Sequence, residues 1–167
     1  MRMLSAVILT SVFAAGADKP FVPPDFAVPE AYAGKGYKLV PLGPDLVRHD
    51  YDAYMSSIDH IRANFGSGRW PRPGITMKEA LADVEGEIAR FRARQSFAYA
   101  VLTPDGSREL GCFYLRPAKA SGFDASANLW VTKEQFDRGF EATLVRDMKQ
   151  WLGKWPFQKV DWPARFQ

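Results

Sequence analysis

Apolar residues recur at alternating spacings of four and three through Val47, Tyr51, Tyr54, Ile58, Ile61 and Phe65. That spacing lays one stripe along a helix and predicts a single continuous amphipathic element. Asp45 is a plausible N-cap for it, Gly66-Ser67-Gly68 closes it, and Pro71 and Pro73 keep the following chain out of helix. Leu81, Val84, Ile88 and Phe91 form a second stripe. Thr76 and Glu79 in front of it make a capping box, because the threonine can accept from the N3 amide while the glutamate reaches back. A helix over Met77 to Arg94 follows. Phe140, Leu144, Met148, Trp151 or Leu152, and Trp155 mark a last helix, which Pro156 stops.

Strands read between these stripes. Tyr37 to Leu42 alternates and ends at Gly43-Pro44, and Phe97 to Leu102 is aromatic and β-branched. Pro104-Asp105-Gly106-Ser107 is a turn, so Leu110 to Leu115 pairs back as a hairpin, stopped by Pro117. Lys119 to Ala125 is a polar loop, Asn128 to Thr132 a third strand of this group, and Val160-Asp161-Trp162 a short final one. The predicted order is β-α-α-β-β-β-α-β, an α+β fold with a mixed, mostly antiparallel sheet over residues 37–167. Residues 18–36 hold Pro20, Pro23, Pro24 and Pro29, which exclude regular helix and a central strand. They form an extended arm with Phe21, Val22, Phe26 and Val28 as anchors. Residues 1–17 start with a basic Met1-Arg2-Met3, continue through an apolar run and end in Ala15-Gly16-Ala17. This is the layout of a short secretory leader, too short for a permanent membrane span. If the leader is real the protein is exported or periplasmic; otherwise it is cytoplasmic.

Composition narrows the function classes. The chain has 167 residues, 47% apolar, and a formal net charge of +3, so one domain is expected. Acidic Asp83, Glu85 and Glu87 precede basic Arg90, Arg92 and Arg94. Such interleaving gives a mixed solvated surface, and nucleic-acid binding would need a one-signed face. The single cysteine, Cys112, sits in an apolar run and reads as a buried structural residue. Two histidines, His49 and His60, and one cysteine give no paired spacing for a metal.

The strand at Leu129-Trp130-Val131 passes through a polar loop and Gly139 into the last helix. A strand feeding a helix in this way can present backbone N–H groups to an anion. Glu141 stands in the first helical turn, which suits the macrodipole and opposes a phosphate guest.

The element order resembles the GNAT acyltransferase fold. Phe97 to Leu102, the Asp105-Gly106 turn and Leu110-Gly111-Cys112-Phe113-Tyr114-Leu115-Arg116-Pro117 look like that family's second and third strands. A bacterial GNAT-like subfamily is similar at Phe21 to Pro29, Ser56 to Arg62, Trp151-Leu152 and Trp155-Pro156-Phe157. The resemblance covers residues 21 to 162 and implies acetyl-CoA as donor, an amine or small molecule as acceptor, and no metal. It implies that Leu129, Trp130 and Val131 lie along the pantetheine arm, with Gly139 at the pyrophosphate; Arg138, one step away, could supply charge there through a different contact. The family places an Arg or Gln and two small residues where this chain has Phe136, Gly139 and Glu141, so only Gly139 matches. The usual later helix, with a tyrosine acid, and the final strands have no counterpart, so the fold reads as C-terminally truncated. The open final strand is then an edge through which two copies could pair. A catalytically inactive binding domain is the alternative to acetyl transfer.

Other side chains have two readings each. Trp130 lines a pocket or fills core beside the Trp155-Pro156-Phe157 corner. Tyr99 and Tyr114 reach a pocket or pack across strands. Asp59 and His60 are helix neighbours pointing about 100° apart, which argues against an acid–base pair. No general base or acid is assigned.

Overall fold

The computed structural model describes residues 20–65 and 70–167. The expected leader, Met1 to Ala17, and the expected stop at Gly66-Ser67-Gly68 lie outside the described residues. A six-stranded sheet runs in the order β1 (Tyr32–Gly34), β2 (Tyr37–Pro41), β3 (Phe97–Leu102), β4 (Glu109–Pro117), β5 (Ala125–Val131), β6 (Val160–Asp161). Every pairing is antiparallel except β5 with β6. β3 is buried at all six positions, as a central strand covered on both faces must be.

One face carries α1 (Val47–Met55), α2 (Ile58–Asn64) and α3 (Met77–Arg92). It buries Ala98, Ala100, Leu102, Cys112, Tyr114 and Trp130. Successive strand side chains alternate, so Phe97, Tyr99, Phe113, Leu129 and Val131 form the other core. That core is closed by α5 (Phe140–Leu152) and the proline-rich arm. Phe21 stacks on Phe157 at 4.7 Å between ring centres, and Phe26 lies 5.2 Å from Trp155. Arg94, at φ 59, donates to the carbonyls of Pro23 and Phe26 at 2.6 and 2.7 Å. These bonds satisfy arm carbonyls that proline-rich backbone cannot pair in a ladder. The four arm anchors are thus packed as expected, and the arm's last residues add an edge strand, β1, that the sequence reading lacks.

The capping box at Thr76 and Glu79 is present, and α3 ends at Arg92. The first stripe is not one helix. It breaks at Ser56-Ser57, where Ser56 Oγ donates to the Ala53 carbonyl at 2.7 Å and Ser57 leaves helical geometry. Serine hydroxyls offer the backbone a local alternative to the helix ladder, while the apolar stripe continues across the break. Asp45 is not a cap either, since Pro44–Leu46 is a 3-10 turn led by Gly43 with no side-chain cap bond. Trp155 lies beyond the helix it was expected to mark: α5 stops at Leu152 and tight turns carry Gly153 to Trp155.

Candidate functional site

The register of the last two strands creates the site. β6 pairs only with Ala125 and Ser126, so Ala127 to Val131 run on beyond it. A parallel pair that separates after two residues leaves an open wedge, and the start of α5 stands beside it. Leu129, Trp130 and Val131 have side chains 0%, 1% and 0% exposed. Only their backbones can meet a guest.

The backbone of Leu129 is engaged on both sides. Its N–H donates to Asn128 Oδ1 at 2.9 Å, and Asn128 Nδ2 in turn donates to the Phe65 carbonyl at 2.9 Å. Its carbonyl accepts from Arg165 Nη2 at 2.9 Å. Arg165 belongs to a 3-10 turn, Ala164–Phe166, that folds back after β6. Its Nη1 donates to Glu141 Oε1 at 2.8 Å, and both side chains are mostly buried. The guanidinium therefore spans the wedge from the β5 backbone to the first turn of α5. Lys149 Nζ donates to the Phe166 carbonyl and holds the turn down. The Glu141 carboxylate, in the first turn of α5, is thereby paired in place.

The segment between β5 and α5 differs from the expected polar loop. It forms a short helix, α4 (Lys133–Asp137), capped by Thr132 Oγ1, which accepts from the Gln135 amide at 3.4 Å. The Lys133 amide donates to Ser57 Oγ at 2.9 Å, so the α2 break serves to hold this turn. Two ion pairs at i,i+4, Lys133 with Asp137 at 2.5 Å and Glu134 with Arg138 at 2.8 Å, reinforce it. These amides are spent within the protein. Thr132-Lys133-Glu134-Gln135 is itself a capping-box pattern, the signal by which the sequence could have shown this helix.

Gly139 takes φ 76 between α4 and α5 and opens α5 with no side-chain cap. A left-handed residue there suits glycine, and the first α5 amides face outward from a helix of 13 residues. Arg138 is 65% exposed at its side chain and tied to Glu134, on the α4 side of the glycine. Phe136 is exposed and packs against His60 at 4.6 Å; burial holds the His60 pKa below its usual value. The structure thus joins Leu129 and Glu141 across one wedge, with Arg165 and Asn128 as members the sequence reading missed.

Trp130 points to the opposite face. It packs against Trp70 at 6.0 Å and donates from Nε1 to Tyr114 Oη at 3.3 Å, so its expected place beside the Trp155 corner is corrected. Tyr99 and Tyr114 also lie on opposite faces: Tyr99 Oη donates to the Pro29 carbonyl at 2.7 Å. Cys112 is fully buried, its thiol donating to the Tyr99 carbonyl at 3.1 Å. Among the described residues no cluster of His, Cys, Asp or Glu is arranged to hold a metal ion, and no helix is long and apolar enough to cross a membrane.

No protein-family model and no curated protein sequence matches the chain. Solved structures do. The ribosomal-protein-S5-alanine acetyltransferase from Vibrio fischeri superposes with a TM-score of 0.58 at 12% identity, over 74% of this chain and 67% of that one. RimL, a ribosomal L7/L12 α-N-protein acetyltransferase in complex with coenzyme A, gives 0.56 at 14% identity, over 72% and 66%. The microcin C7 self-immunity acetyltransferase MccE, in complex with acetyl-CoA and AMP, gives 0.54 at 12%, over 72% and 64%. The chain spans about two thirds of the length of each. The fold they share with it is the GNAT fold.

Proposed function

We propose that this chain, built on the GNAT fold, is an acyl-CoA-dependent N-acetyltransferase acting on an amine. The carrying observation is the wedge: β6 leaves β5 after Ser126, and the open β5 edge leads to the uncapped start of α5. Such an edge suits the amide-bearing pantetheine arm, and a helix start beside a cation suits its pyrophosphate. Coenzyme A fits the residues present in part. The β5 backbone beyond Ser126, the first α5 amides and Arg165 would hold it, with Arg165 supplying the charge that Phe136 does not. The Leu129 carbonyl becomes available when Arg165 turns toward a phosphate, a short rotation for a side chain already bonded to the α5 start. The donor would supply an activated acyl group; the protein's part is to orient it and exclude water.

Calorimetry or thermal shift with acetyl-CoA tests the reading. A ligand that binds only the folded chain raises its apparent stability by mass action. No heat and no shift at about millimolar donor, the upper end of ordinary KM values, removes the proposal. Thiol release on addition of an amine panel then tests transfer itself. A non-catalytic binding domain is the second reading, and one observation favours it: both backbone groups of Leu129 are already satisfied within the chain.

A further inference from the structure

On the other face of the sheet, a cavity of about 330 Å³ lies between α1, α3 and β4. Its walls are aromatic. Tyr54 and Trp70 approach at 5.2 Å, Phe65 and Trp70 at 5.8 Å, and Phe65 and Tyr114 at 5.4 Å. Its polar groups are mainly carboxylates: Asp50 on the floor, with Asp83 and Glu87 from α3. Arg90 and Arg116 also line it, but both are spent on one acid, reaching Glu87 Oε1 at 2.9 and 3.2 Å. Asp50 and Asp83 have no ion-pair partner among the described residues.

Asp50 is 5% exposed and Tyr54 2% exposed. Tyr54 Oη and Glu87 Oε2 are buried without a hydrogen-bond partner among the described residues, and Asp50 has only the Glu109 carboxyl beside it. Buried polar atoms are normally satisfied, so these groups around one cavity suit a guest that donates hydrogen bonds and carries positive charge. Behind Asp50 stands Glu109, 2% exposed, close enough for the two carboxyls to share a proton. Burial pushes both carboxyls up, Asp50 to about 7, with Asp83 and Glu87 adding to the rise at Asp50 and Asp50 itself to that at Glu109.

We infer that this cavity binds a compact organic ammonium, its charged head at Asp50 and its apolar body against Tyr54, Trp70 and Tyr114. Aromatic faces and a desolvated carboxylate both attract such a cation, and the volume matches a small-molecule site. Arg116 already lies over the Tyr114 ring at 5.0 Å, a cation on the same wall. The inference rests on the cavity and not on acetyl transfer. It also carries a proton signature. Near pH 7 Asp50 is partly protonated, and an ammonium selects its ionised form. The groups facing it are Tyr54 on α1, Asp83, Glu87 and Arg90 on α3, and Glu109, Tyr114 and Arg116 on β4. Of these, Asp50 and Glu109 retain protons to neutral pH, so binding releases protons and tightens as pH rises from 6 to 8.

The test is titration calorimetry of the full chain, without donor, using 2-phenylethylammonium and its uncharged analogue 2-phenylethanol. The ammonium is expected to bind about tenfold or more tightly than the alcohol, several-fold more tightly at pH 8 than at pH 6. Its heat should differ between phosphate and Tris in the sense of proton release. Asp50→Asn is expected to weaken binding about tenfold while leaving the melting temperature unchanged or raised, the reverse of a structural carboxylate. Asp83→Asn, at an exposed rim position, should weaken it several-fold and guards against a folding defect in the first variant. Equal binding of ammonium and alcohol overturns the inference. So does undiminished binding by both variants, or no binding at about 10 mM, where even a weak site registers.

Discussion

The bridge from Arg165 to Glu141 makes a prediction whose sign separates two roles for the arginine. In the intact protein the pair contributes no net charge at the start of α5. Glu141→Gln leaves the guanidinium there alone, while Arg165→Ala leaves the carboxylate. A unit charge about 4 Å from a phosphate is worth ~4 kcal/mol at the effective dielectric of a protein surface. The side chains are 24% and 14% exposed, so solvent and counter-ions reduce this to about 1–2 kcal/mol, or roughly 5- to 30-fold in affinity. Coenzyme A is therefore expected to bind Glu141→Gln more tightly than the parent and Arg165→Ala more weakly, by calorimetry at low salt. The spread should narrow as salt is added. Both variants break the same ion pair and each loses about 1–2 kcal/mol of stability, so opposite shifts in affinity cannot come from folding. Tighter binding by Arg165→Ala would refute the reasoning. It would show the arginine to be an obstacle over the Leu129 carbonyl and not a phosphate ligand.

Three further perturbations test the framework around the site. Gly111→Ala places a Cβ 2.1 Å from the Trp130 carbonyl oxygen and 2.9 Å from Val131 Cα; backbone cannot yield there, so β4 and β5 must part. A loss of about 3 kcal/mol or more in urea denaturation is expected, and an unchanged midpoint would contradict the register. Thr76→Ala removes the hydroxyl that accepts from the Glu79 amide and should cost about 1 kcal/mol, read from the same transition. Stability should fall as pH rises from 4 to 7. Asp50 keeps its proton in the folded state up to about 7, against an unperturbed 3.8, whereas the unfolded chain releases it near 4. The folded state then binds more protons across that window, and the single group is worth at most about 4 kcal/mol. Urea midpoints should be lower at pH 8 than at pH 5, and Asp50→Asn should flatten the difference. A rise in stability over that range would sink the assignment.

Local pattern made much of this fold legible. The capping box at Thr76, the Leu81 to Phe91 stripe, the Phe97 to Leu115 hairpin and the arm anchors each depend on neighbours within a few residues. The misreadings also have local causes. Ser56 and Ser57 divert backbone bonds without disturbing the apolar spacing that marked a helix. Glu134, Gln135 and Asp137 looked like loop because polarity outweighed the cap at Thr132.

The candidate sites were less legible because their members meet only through topology. Asp50 and Glu109 come from a helix and a strand far apart in sequence, and each alone reads as an ordinary charge. Arg165 gives still less sign of itself. Its place follows from β6, which must run parallel to β5 and therefore needs α5 as its crossover. β6 then leaves after two residues, and Pro163 turns the chain so that the next arginine faces the β5 edge. The device that opens the wedge thus also delivers the cation that spans it. Arg138 is tied to Glu134 on the loop side, so the arginine at the start of α5 comes from beyond the last strand, and the Glu141 and Arg165 variants test whether it serves there as a phosphate ligand.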